Sequence, residues 1–127
     1  TQVGLRFPLH ATGVGLVLLA FADEALQDEV MNAPLAGFTP KTIQDPAMLR
    51  RKLADVRQQG FAVSDRQVTM DALSVAAPIR DAEDAVVAAV SLVVTANVSP
   101  TAIAPAVVAA GRGISRVLRN AGMVLAR

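Results

Sequence analysis

After Gly60 the apolar residues stop recurring every three or four positions and begin to alternate, and this switch limits what the chain can become. Upstream, Leu49, Leu53 and Val56 recur at i, i+4 and i+7 among Arg50, Arg51, Lys52 and Arg57, the pattern of a helix with one buried face and one solvated face. Downstream, the period falls to two. Phe61 to Gln67, Ala72 to Ile79 and Val86 to Thr95 read as three strands. Asp81-Ala82-Glu83-Asp84 reads as the turn that folds the last two into a hairpin. Helices, then antiparallel strands, then a helix make an α+β domain rather than a doubly wound one.

Local signals set the helix boundaries. Thr12 caps a helix running to about Ala20, and Asp23 caps a second that Pro34 stops. Asp45-Pro46 and Ser99-Pro100 each place a capping side chain before a proline at the first helical position, where its missing N–H costs nothing. Gly60 ends the third helix. The last carries Ile103, Val107, Ala110, Ile114 and Val117 on one face, and its Gly111 and Gly113 permit close packing against a neighbour.

At 127 residues the chain makes one domain. It is 53% hydrophobic but only 3% aromatic, so its core is built from small pieces. A net charge of +1 supplies no global field for nucleic acid or an anionic membrane. Without cysteine there is no disulfide, thiolate nucleophile or cysteine metal site, and no metal ligand set or cofactor motif stands out. Of the two long uncharged stretches, residues 7–22 contain Pro8, His10 and two glycines. Residues 85–111 are broken by Asn97, Ser99, Pro100 and Thr101. Neither reads as a membrane span, and with no basic stretch before an apolar run at the start, a signal peptide is not expected. The expectation is a cytoplasmic protein.

Two places carry candidate chemistry. With a two-residue loop at Ala82 and Glu83, the hairpin sets Ser74 opposite Ser91, Ala72 opposite Val93 and Ala76 opposite Ala89. The other face then collects Leu73, Val75, Ile79, Val90 and Leu92 and belongs in the core. The small face admits two readings: a shallow pocket with hydroxyls, or a helix packed closely over it. The second place is the start of the first helix, where Gly13, Val14 and Gly15 offer unpaired N–H donors that favour an anion. A Ser-His-Asp enzyme would need His10, the only histidine, beside Ser74 or Ser91, and nothing in the spacing places it there. Arg112, Arg116 and Arg119 form a basic line without aromatic companions, better read as a solvated face than a nucleic-acid reader.

Five ordered segments resemble the IclR-type transcriptional regulators. They are Leu9-His10-Ala11-Thr12-Gly13-Val14-Gly15 with Leu18-Leu19-Ala20; Thr39-Pro40-Lys41-Thr42-Ile43 with Leu49; Leu53-Ala54-Asp55-Val56-Arg57 through Gly60-Phe61-Ala62-Val63; Ala76-Ala77-Pro78-Ile79-Arg80-Asp81; and Val86-Val87-Ala88-Ala89-Val90-Ser91. The resemblance implies the family's effector-binding half over residues 1–127. That is a GAF-like or profilin-like fold, a central antiparallel sheet flanked by helices, here without its first helix and strands. It further implies a small organic acid as effector, often carboxylic or aromatic, and a homodimer or homotetramer. DNA would be bound only through an N-terminal winged helix-turn-helix absent from these residues, with no membrane partner and no enzymatic activity. Carried over by position, the effector contacts fall on Phe7, Gly13, Val14, Ser64, Ala72, Ser74, Ser91 and Val93. The family often has an acid at position 64 and a small polar residue at 93, so Ser64 and Val93 imply a more apolar pocket. A GAF- or PAS-like sensing or interaction domain of another signalling protein is the alternative.

Overall fold

Alternating residues and capped helices translate into three strands and, among the described residues, four helices. A computed structural model of the chain describes residues 8–125. Phe7 lies outside them. The order is α1 (Gly13–Ala20), α2 (Glu24–Asn32), α3 (Pro46–Gln59), β1 (Ala62–Asp65), β2 (Ala72–Arg80), β3 (Val86–Thr95) and α4 (Pro100–Asn120). Three of the four expected caps act as the sequence implies: Thr12 Oγ1 accepts the Gly15 N–H at 3.0 Å, Asp23 accepts that of Leu26 and Asp45 that of Ala47. Ser99 does not, because its hydroxyl lies 2.9 Å from Thr101 Oγ1 and makes no cap hydrogen bond. β1 is shorter than the expected Phe61–Gln67 because Arg66 turns to a positive φ of 58° and ends the ladder.

The strands form one antiparallel meander in the order β1-β2-β3. Its bulky face carries Leu73, Val75 and Ala77, which α4 covers with Ala104 and Val107. Gly111 makes this approach possible: a Cβ there would meet the Pro78 carbonyl oxygen at 2.8 Å, whereas one at Gly113 would meet nothing within 4 Å. Ser115 seals the same contact, accepting the Arg80 N–H at 2.9 Å and donating to the Gly111 carbonyl at 2.7 Å.

The opposite face carries Ala62 and Ala76, and α1 lies on it. α3 packs on the far side of α1 with Leu49, Leu53 and Val56. Enclosed this way, α1 buries Leu16, Val17 and Leu19 completely. A helix apolar on all sides is a buried helix, and that accounts for its uncharged run. Among the described residues no helix is long and apolar enough to cross a membrane.

The hairpin register differs from the expected one by two residues. Ser74 pairs with Val93, Ala76 with Ser91 and Ala72 with Thr95. The turn is the cause. Instead of two residues it takes the stretch 81–85, closed by the Asp81 N–H on the Ala85 carbonyl, with Asp84 at φ 64° and an irregularity at Ile79/Arg80. Asp81, 1% exposed, stabilises the longer loop by accepting the Glu83 and Ala85 N–H groups on Oδ1. A slip of two preserves the faces. Ser74 and Ser91 therefore stay on the small face, but diagonally rather than side by side.

Candidate functional site

The small-residue face supports both readings, each over part of its length. Around Ala62 and Ala76 it is covered by α1. Toward the start of α1 the cover ends, leaving a pocket of about 310 Å³ lined by Thr12, Gly13, Val14, Ser64, Val68, Thr69, Ala72, Leu73, Ser74, Ser91 and Val93. Seven of the eight residues carried over from the family motif, all but Phe7, meet there. Thr12, Val68, Thr69 and Leu73 join them without having been singled out. Val68 and Thr69 lie in the β1–β2 connector, which has no periodicity to read, and Thr12 was legible only as a cap.

Polar groups are sparser than expected. Gly13 sits so close to the sheet that a Cβ would be 2.7 Å from Ser74 Oγ, and its N–H donates to that oxygen at 3.3 Å. The Gly15 N–H is taken by Thr12. Of the three donors expected at this helix start, Val14 alone has no partner among the described residues. Ser64 is 5% exposed, and its hydroxyl donates to the Ala11 carbonyl, tying β1 to the approach to α1. The Ser91 hydroxyl has no protein partner among the described residues. The remaining side-chain walls are Thr12, Val14, Val68, Thr69, Ala72 and Val93, and no charged side chain lines the pocket. Leu73 borders it from a strand position whose side chain lies under α4. On the β3 side it is open, since Val93 is 66% exposed. Such a pocket suits a largely apolar molecule with one or two polar ends, held by an N–H and hydroxyls.

His10 belongs to the scaffold. Its Nε2 lies 2.7 Å from the Ala36 carbonyl, and its ring stacks on Phe38 with centroids 6.0 Å apart. It is not among the pocket residues that include Ser74 and Ser91. Arg112, Arg116 and Arg119 edge a separate hollow of about 440 Å³ beside α4 and face solvent. Among the described residues no group of three or more His, Cys, Asp or Glu could hold a metal ion.

Residues 1–116 match the family described as bacterial transcriptional regulator IclR C-terminal. The HTH-type transcriptional regulator XynR of Escherichia coli (strain K12) is 33% identical over 133 residues, covering all of this chain and 48% of that protein. The chain thus spans about half the length of that curated relative. Among solved structures, an IclR homolog from Microbacterium hydrocarbonoxydans complexed with 4-hydroxybenzoate superposes with a TM-score of 0.86 at 34% identity, over 90% of this chain and 47% of that one. The inducer-binding domain of the PobR transcription factor from Acinetobacter, a double mutant in complex with 3-hydroxybenzoic acid, gives 0.79 at 29% identity, over 91% and 67%. By sequence and by fold, then, the chain belongs to the IclR family of bacterial transcriptional regulators, as an effector-binding C-terminal domain.

Proposed function

We propose that this domain senses a small aromatic carboxylic acid in the cytoplasm and passes its occupancy to a DNA-binding part of the full-length regulator. The pocket at the start of α1 carries the reading. Its volume is at the low end for ligand sites, which run from about 300 Å³, so the ligand is small. Its walls are apolar, which favours a ring over a polyhydroxylated chain. The Val14 N–H at a helix start and the Ser91 hydroxyl suit a carboxylate at one end and a hydroxyl at the other. The hydroxybenzoates bound by two structural relatives have this chemistry.

Thermal denaturation with a panel of benzoates, hydroxybenzoates and aliphatic acids tests it. A ligand at 100 times its Kd stabilises the native state by about 2.7 kcal/mol, a shift of several degrees. We predict that one or more aromatic acids raise Tm. Ser91→Leu, at an exposed strand position, should keep the unliganded Tm but lose the shift by filling the pocket. A full shift in that variant would place the ligand elsewhere. If only aliphatic acids act, the aromatic assignment is wrong.

A further inference from the structure

The Thr39-Pro40-Lys41-Thr42 segment does not line the pocket, yet it holds parts that do. The pocket has two lips. The inner one, Thr12 to Val14, begins α1, and the outer one, Val68 and Thr69, belongs to the connector 66–71. The connector's ends are closed by the Arg66 N–H on the Ala72 carbonyl at 3.1 Å and the Ala96 N–H on the Asp71 carbonyl at 2.9 Å. Between them, among the described residues, Val68, Thr69 and Met70 make no hydrogen bond, and all three are exposed.

The outer lip is also attached just upstream. The Arg66 guanidinium donates to the Ala96 carbonyl at 3.1 Å, and Gln67 Oε1 accepts the Ile43 N–H at 3.5 Å. Loop 36–42 takes the backbone carbonyls of both residues. Thr39 Oγ1 donates to the Arg66 carbonyl at 2.5 Å, and Thr42 Oγ1 donates to the Gln67 carbonyl at 2.5 Å. Each hydroxyl is itself aimed by backbone. Thr42 Oγ1 accepts the N–H groups of Phe38 and Thr39 at 3.0 Å each, and Thr39 Oγ1 accepts that of Lys41 at 3.1 Å. A hydroxyl has one hydrogen to give, so accepting these groups leaves that hydrogen for the connector. At its other end the same loop holds His10, two residues before the inner lip, through the Ala36 carbonyl and the Phe38 ring.

We propose that loop 36–42 is a brace that sets the opening between the two lips, and that Thr39 is a positioning residue for effector binding without touching the ligand. This rests on the reading of the pocket as the effector site. A lip released from the brace would have to be ordered at each binding event, weakening binding mainly through faster dissociation.

The test compares Thr39→Val, Thr39→Ser and Val56→Ala, the last a buried truncation on α3 outside the pocket lining. Two readouts are taken: backbone ¹⁵N order parameters at residues 68–70 without ligand, and dissociation of 4-hydroxybenzoate. In Thr39→Val the order parameters should fall from the rigid range, about 0.85, toward about 0.6. Dissociation should quicken about five- to tenfold, the equivalent of one lost hydrogen bond or slightly more. Thr39→Ser should restore both. Val56→Ala should lower Tm and move neither. Unchanged order parameters in Thr39→Val would overturn the brace, as would equally fast dissociation from Val56→Ala. If wild type does not bind 4-hydroxybenzoate, that ligand assignment falls, and the order parameters alone decide the brace.

Discussion

Lys52 shows how a residue on a charged helix face can still carry a cost. Burial against the fold pushes its ammonium below the ordinary 10.5, and the carboxylates of Asp55 and Asp65 offset only part of that. With the folded value lower than the unfolded one, the unfolded chain holds more protons between the two, so stability rises with pH across that window. Below it the penalty of burying the charge is felt in full. We predict that Lys52→Met raises Tm by about 1–3 °C near neutral pH, and that the gain shrinks as pH approaches the unfolded value. Melting curves at neutral pH and near pH 10 check this, and a gap that widens with pH would contradict it. Seven of the eleven residues lining the pocket were legible because the family motif marks positions. Their hydrogen bonds were not. The Gly13 N–H finds its acceptor on Ser74, 61 positions along the chain, and the Ser64 hydroxyl reaches Ala11 across 53. No spacing rule links residues that only the tertiary fold brings together.

At the scale of elements, caps and periodicity located each helix and strand among the described residues, because those signals are local. The hairpin register was not legible. Residues 82 and 83 fit a tight loop equally well, and the buried Asp81 carboxylate, by accepting the Glu83 and Ala85 N–H groups within the turn, favours the longer one. The two glycines of α4 make the same point, since the sequence treats them alike and the fold does not. Gly113→Ala should stabilise the helix by about 0.5–1 kcal/mol, the ordinary gain of alanine over glycine in open space. Gly111→Ala should instead cost about 1–2 kcal/mol net, because its Cβ would press on the Pro78 backbone and lift α4 from the sheet. Chemical denaturation of the two variants measures both signs. Equal effects would show that α4 does not rest on the sheet as described.

At the scale of the whole molecule, β3 and α4 each leave apolar surface uncovered among the described residues. Among those residues β3 is the longer of the sheet's two edge strands, with Leu92 43% and Val93 66% exposed, and α4 turns Val117 outward at 65%. A long outer strand with apolar side chains invites pairing. We predict that the protein sedimentates as a dimer or larger at micromolar concentration, and that Val117→Lys shifts the distribution toward smaller species if α4 takes part. A monomer at that concentration would refute the first expectation, and an unchanged distribution in the variant would exclude α4.

The order of the elements also has a consequence in time. Among the described residues each strand pairs only with its sequence neighbours, so the meander can close through local contacts while the chain is still being made. The helix that covers its bulky face comes last of the described elements and is 21 residues long. At a synthesis rate of about 5–20 residues per second, that face waits about one to four seconds for its cover. Leu73, Val75 and Val90 are the residues a nascent-chain chaperone would meet in that interval, and a ribosome that stalls within α4 would prolong it.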